Sequence, residues 1–203
     1  MAASMTHFSA IAAVAAGIGF FGAAQTAHGA TITWTGAVSN FWVDPLNWDT
    51  LQVPGPFGDA TVGAGTPLAA LFGTSGQTIG SLDVFGAVHL RNNSFIRLQQ
   101  PRVSSISGGE LRLFEASIFE TRNEDGDLFI SNGALVDVRD TALFNNRGRT
   151  VVRNFSGVHN TQLNISGAGG FFNAEQLRIF NATMNVTGQG VFRNFGSSTV
   201  FRH

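Results

Sequence analysis

Five copies of an eleven-residue unit lie between residues 88 and 194, and this repeat restricts the possible folds more than any other feature of the chain. The copies read VHLRNNSFIRL, LRLFEASIFET, VDVRDTALFNN, LNISGAGGFFN and MNVTGQGVFRN, and they begin at Val88, Leu111, Val136, Leu163 and Met184. Their starts are separated by 23, 25, 27 and 21 residues. A period of this length is typical of a solenoid, in which each repeat forms one turn of a coil.

The first three columns of the aligned repeat alternate in polarity. The first and third columns are apolar in every copy, and the polar second column contains His89, Arg112, Asp137, Asn164 and Asn185. This two-residue alternation predicts a strand with one buried face and one solvated face.

Later columns of the repeat hold like residues in successive copies. The ninth column contains Ile96, Phe119, Phe144, Phe171 and Phe192, and the eleventh column ends in Asn146, Asn173 and Asn194. The seventh column holds only small residues, as a tight corner requires, and these are Ser94, Ser117, Ala142, Gly169 and Gly190.

Recurrence of like residues about every 24 positions is what a coiled parallel sheet produces when each turn lies on the previous one. Neighbouring turns would lie about 4.8 Å apart, with Phe stacked on Phe and Asn amides bonded in a ladder. We therefore predict an all-β fold, a single-stranded right-handed parallel β-helix of about five turns of about 24 residues. An antiparallel sandwich is the alternative. It explains the alternation but not the recurrence of like residues in the same column. It also requires two-residue hairpin turns, for which Asn132-Gly133 and Asp125-Gly126 are the only candidate sequences.

Residues 1–30 are predicted to be a signal peptide or leader. The run from Phe8 to Ala24 carries no charge and no proline, and small residues between Ala24 and Ala30 suit cleavage by a signal peptidase. An uncleaved anchor is the alternative, although the run is shorter than the roughly 20 residues that span a bilayer. The remainder is expected to be exported, and the absence of cysteine excludes a disulfide framework or a thiolate metal site.

Residues 31–80 are assigned to an aromatic N-terminal cap and the first turns, and residues 81–203 to β-helix repeats that are truncated at the C-terminus. All three tryptophans, Trp34, Trp42 and Trp48, lie in the first of these segments. The first turn of a solenoid exposes an apolar end and unpaired strand edges, which these side chains are predicted to cover. An exposed aromatic platform for stacking on sugars is the alternative.

The same segment carries the spacing Trp34-x-Gly36, Trp42, Asn47-Trp48, Pro54-Gly55 and Asp59-Ala60. This pattern resembles the opening segment of large exported bacterial β-helix proteins, including autotransporter-type passenger domains and surface proteins with autotransporter-associated β-strand repeats. The resemblance implies a secreted or cell-surface, outer-membrane-associated structural or adhesive domain. Its expected partners are surface glycans or host matrix components, with membrane contact only through the leader or a missing C-terminal anchor.

The sequence predicts no catalytic, cofactor-binding or metal-binding residues, and hence no enzyme. His89 and His159 are interpreted as solvated side chains, and the acidic group Glu124, Asp125 and Asp127 as a bend, because it lacks the spacing of known calcium loops. Arg112 and Asp137 are expected to form a cross-strand ion pair. With a formal charge of −1 there is no basic excess for nucleic acid.

The sequence is also compatible with two other functions. Parallel β-helices also host polysaccharide lyases and glycoside hydrolases, which gather acidic and basic residues on one outer face. A carbohydrate-binding module is the second alternative.

Overall fold

The computed structural model describes residues 29–73, 76–99, 101–122, 126–154 and 160–201, and their regular structure is almost entirely parallel β-sheet. After the first strand, successive strands along the chain enter three sheets in turn, here called sheets A, B and C. Within the described residues one short helix occurs, a 3₁₀ turn over Pro45–Asn47 that is capped by the Asp44 side chain. None of the described residues belongs to a helix long and apolar enough to cross a membrane.

Each sheet is built from strands of three or four residues. Sheet A contains β1 (Thr31–Trp34), β2 (Asp59–Val62), β5 (Ser81–Val84), β8 (Ser104–Ser107), β11 (Leu128–Ser131), β14 (Thr150–Arg153), β17 (Leu177–Phe180) and β20 (Ser198–Phe201). Sheet B contains β3 (Ala69–Leu71), β6 (Ala87–Leu90), β9 (Glu110–Leu113), β12 (Leu135–Val138), β15 (Gln162–Ile165) and β18 (Thr183–Val186). Sheet C contains β4 (Gly76–Ile79), β7 (Phe95–Leu98), β10 (Ile118–Thr121), β13 (Leu143–Asn146), β16 (Gly170–Asn173) and β19 (Val191–Asn194).

This arrangement confirms the predicted parallel β-helix and excludes the antiparallel sandwich. The register follows the aligned repeat residue by residue: Val88 pairs with Leu111, Leu111 with Val136, Val136 with Leu163 and Leu163 with Met184. Sheets B and C contain six strands each, so the coil has about six turns. The additional turn comes from β3 and β4, whose Ala and Gly residues do not repeat the pattern of the later copies.

Two ladders of like side chains run through the interior. The rings of Phe119, Phe144, Phe171 and Phe192 lie 4.7, 4.7 and 5.6 Å apart between centroids. Beside them Asn146 Nδ2 donates to Asn173 Oδ1 at 2.9 Å, and Asn173 Nδ2 donates to Asn194 Oδ1 at 2.7 Å. The amide ladder satisfies polar groups that the solenoid buries, which would otherwise destabilise the core.

The corners between sheets B and C are tight turns, as the seventh column predicts. In each turn the small residue donates its backbone N–H to the carbonyl three residues earlier, for example Ser117 to Phe114 and Gly169 to Ser166. Ser94, Ser117 and Ala142 are buried, and a Cβ atom added to Gly169 would lie 2.8 Å from the carbonyl oxygen of Val138, so a larger side chain at this column has little space.

The three tryptophans form a buried cap at the N-terminal end. Trp34, Trp42 and Trp48 are at most 1% exposed, and the ring of Trp48 lies edge-on to the other two at 5.2 and 4.7 Å. Their burial confirms the cap and rules out these side chains as an exposed platform for sugars. Asn47 organises the loop around them, since its Oδ1 accepts from Val38 N and its Nδ2 donates to Phe41 O, both at 3.0 Å.

The cap also covers the first strand edges of two sheets. Against sheet A, Asp49 N donates to Thr33 O at 3.0 Å and Thr35 N donates to Asn47 O at 2.7 Å. Against sheet B, Ala70 N donates to Asn40 O at 2.8 Å and Trp42 N donates to Ala70 O at 2.9 Å. Paired edges cannot add a strand from another molecule.

Candidate functional site

The outer face of sheet B carries the polar column that the repeat predicted. His89, Arg112, Asp137, Asn164 and Asn185 stand in register on five successive strands. The column mixes a base, a cation, an acid and two amides, so it does not gather carboxylates as the glycosidases do.

Glu110 is the centre of the contacts on this face. His89 Nε2 lies 2.8 Å from Glu110 Oε1, and Arg112 Nη2 lies 2.8 Å from Glu110 Oε2. The His89 side chain is 13% exposed, so the expectation that it is solvated is wrong. Burial lowers the pKa of His89 below its usual value, although the hydrogen bond with Glu110 acts in the opposite direction. Burial raises the pKa of Glu110, but the bonds from His89 and Arg112 outweigh it and hold that pKa below its usual range. At neutral pH the site therefore holds a neutral imidazole that is bonded to a carboxylate.

The expected ion pair between Arg112 and Asp137 is not the one that forms. Arg112 bonds to Glu110, two residues earlier on its own strand, and Asp137 pairs with Arg139, two residues later, at 2.6 Å. Alternate residues of a strand lie on the same face, and a long guanidinium reaches along the strand as easily as across it. The bond and charge of Asp137 raise the pKa of Arg139.

Directly after three strands of sheet B, an aromatic ring lies between two arginines. The guanidinium carbons of Arg91 and Arg139 lie 4.4 and 5.8 Å from the ring centroid of Phe114, and the His89 ring meets it edge-on at 5.7 Å. These cation–π contacts hold the arginines in place, which favours a structural role for them.

Sheet C carries a second charged cluster, which the sequence did not reveal. Glu120 receives Arg97 Nε at 2.8 Å, Arg122 Nε at 3.3 Å and Arg147 Nη2 at 3.4 Å. Burial raises the pKa of Glu120, but the arginine bonds outweigh it and hold that pKa below its usual range. The available signal was the tenth column of the repeat, in which Arg97 and Glu120 are equivalent residues of adjacent copies.

A shallow groove of about 370 Å³ lies at the corner between sheets A and B, beside Glu110. The connections β5–β6 and β8–β9 contain two residues each, whereas the preceding connection β2–β3 contains six, so the surface dips over the short corners. Phe85, Gly86, Gly109 and Leu135 are among the residues that line it. Among the described residues that line the groove, Glu110 is the only one with an ionisable side chain, and it is already bonded to His89 and Arg112.

The remaining predicted positions are only partly described. His159, Glu124 and Asp125 lie outside the described residues. The carboxylate of Asp127 accepts a hydrogen bond of 3.0 Å from Arg149 Nε, so it is paired with an arginine. Within the described parts of the chain no group of three or more His, Asp or Glu side chains could hold a metal ion.

Together the fold and these surfaces define a parallel β-solenoid with a capped N-terminal end and charged outer faces. No protein-family model, curated protein or solved structure matches the chain. The resemblance to exported bacterial β-helix proteins therefore stays a prediction.

Proposed function

We propose that this solenoid is a non-catalytic structural or adhesive domain, secreted or exposed at a bacterial cell surface. The main support for this proposal is that carboxylates on the outer faces are paired with arginines. Glu110, Glu120, Asp127 and Asp137 each contact an arginine, so these carboxylates serve surface contacts between turns and strands. General acid–base catalysis instead needs a proton-transferring group that is free to meet the substrate.

The interior supports a mechanical role. A phenylalanine ladder links four successive turns and an asparagine ladder links three, and the solenoid gains stability from such nearest-neighbour contacts. Such a rod holds whatever its outer faces display at a fixed spacing from the cell. Export is supported by the leader-like segment at residues 1–30 and by the resemblance of the tryptophan segment.

Two measurements test this function. Purified chain incubated with pectin and with alginate is expected to release no unsaturated oligosaccharides, while an active polysaccharide lyase added to the same polymers serves as the positive control. Release by this chain that disappears in a Glu110→Gln variant would establish the enzyme alternative. In intact expressing cells, external protease should remove the solenoid, and a chain that is protected until lysis would contradict surface exposure.

A further inference from the structure

The outer face of sheet C carries more arginine than its shared carboxylate neutralises. Arg97, Arg122 and Arg147 all pair with Glu120, so three cations surround one anion. In other described ion pairs one arginine meets one carboxylate, as in Arg102 with Asp59. Among the described residues the sheet C cluster therefore carries a positive excess, on a chain whose formal net charge is −1.

The excess charge lies at the surface. The side chains of Arg122 and Arg147 are 50% and 48% exposed, whereas that of Glu120 is 12% exposed beneath them. A guanidinium has five N–H donors in a planar fork, and the contacts with Glu120 use only part of them. The remaining donors of Arg122 and Arg147 can bind a second anion from solvent.

Apolar side chains border this charge on the same face. Ile118 and Leu143 pair in register on β10 and β13, and each is 38% exposed. Arg97 packs over the ring of Phe95 at 5.2 Å, and farther along the coil Arg193 packs over Phe172 at 5.9 Å. Phe95, Ile118 and Leu143 therefore form an apolar row along the solenoid axis, beside the arginines of the same turns.

We propose that this face, defined by Arg97, Arg122, Arg147, Ile118 and Leu143, binds an acidic polysaccharide that lies along the solenoid axis. The guanidinium groups would bind its carboxylate or sulfate groups, and the apolar side chains would contact the C–H faces of its rings. The inference rests on the proposed adhesive function and names its partner class. Duplex DNA presents one charge per roughly 1.7 Å and requires a longer basic footprint than this cluster provides.

The test measures binding of the full chain to immobilised alginate, dextran sulfate and unmodified dextran. The wild-type chain should bind at least one of the two acidic polymers and not the neutral one, and binding should weaken with salt because exposed charges are screened. The double variant Arg122→Gln/Arg147→Gln should bind about tenfold or more weakly, since each change removes a charge-assisted bond.

The matched control is Arg149→Gln. Arg149 is 38% exposed on another face and pairs one-to-one with Asp127, so its loss changes the net charge without touching the cluster. It should keep wild-type affinity. Glu120→Gln provides a gain-of-function arm, because removing the shared anion should tighten binding, and circular dichroism checks that every variant keeps its β-sheet.

Three outcomes would overturn the inference: no binding to either acidic polymer, equal weakening by the Arg149→Gln control, or tighter arginine-dependent binding to duplex DNA or to anionic phosphatidylglycerol vesicles. Measuring the chain length of alginate after binding tests the binding face and the non-catalytic proposal separately. Alginate that is bound and shortened would refute the non-catalytic proposal and leave the binding face intact.

Discussion

At the scale of single residues, His89 links folding to pH. Burial lowers its pKa from the ordinary value of 6.5, so the folded chain binds fewer protons here than the unfolded chain just below that pH. The contribution to stability is therefore full above 6.5 and is lost as the pH falls through that value toward the folded pKa. Urea unfolding of His89→Gln should show a flatter decline of stability over this window than the wild type.

The control for this prediction is Asn185→Gln, which changes a polar residue of the same outer column without adding or removing an ionisable group. It should keep the wild-type pH dependence. If His89→Gln and the wild type lose stability in parallel on acidification, then the burial of His89 does not contribute to the pH dependence.

Side-chain partners were the least predictable residue-scale feature. The alternation placed His89, Arg112 and Asp137 on one outer face correctly, because the direction of a side chain in a strand follows from its position alone. It could not choose among partners, since a flexible arginine reaches residues on its own strand and on the next. For the same reason the sequence did not reveal that three arginines share Glu120.

At the scale of strands and corners, close stacking of turns controls which residues fit. A Cβ atom added to Gly109 would lie 2.5 Å from the carbonyl oxygen of Gly86 on the preceding turn. Gly109→Ala should therefore destabilise the fold by about 1–3 kcal/mol, because backbone must shift to relieve the overlap. Gly55→Ala is the matched control, since no atom lies within 4 Å of its added Cβ, and it should unfold at nearly the wild-type urea concentration.

Equal urea midpoints for these two variants would show that the corner relaxes at little cost.

The sequence predicted most at the scale of strands and corners. Parallel strands in register place equivalent residues side by side, so the columns of Phe and Asn followed directly from the repeat. Strands β3 and β4 were not located, because Ala69–Leu71 and Gly76–Ile79 lack the alternation that identified the others.

At the scale of the whole molecule, the two ends differ. At the N-terminal end the cap loop, residues 40–49, pairs with β1 and with β3. At the other end no described strand covers the outer edges of β18, β19 and β20. The spacing of the tryptophans predicted a cover for the first turn. It could not predict how Asn40–Trp42 and Asn47–Asp49 reach two separate sheet edges, because that depends on the path of the loop that Asn47 organises.

The cap should therefore limit association through the N-terminal end. Deleting residues 31–58 removes β1 together with its cover and leaves the edges of β2 and β3 open, and an open flat edge recruits strands from other molecules. Sedimentation velocity over a range of concentrations should show larger species for the deleted chain than for the full chain, in which no described strand covers the outer edges of β4, β18, β19 and β20. Adding Ala70→Pro to the deletion removes the β3 donor that faces the lost cap, because Ala70 N bonds to Asn40 O in the intact chain. That variant should associate less than the deletion alone, provided that circular dichroism shows the same β-sheet content in both. A deleted chain that sediments like the full chain would mean that the cap serves to cover the apolar interior and not to block strand pairing.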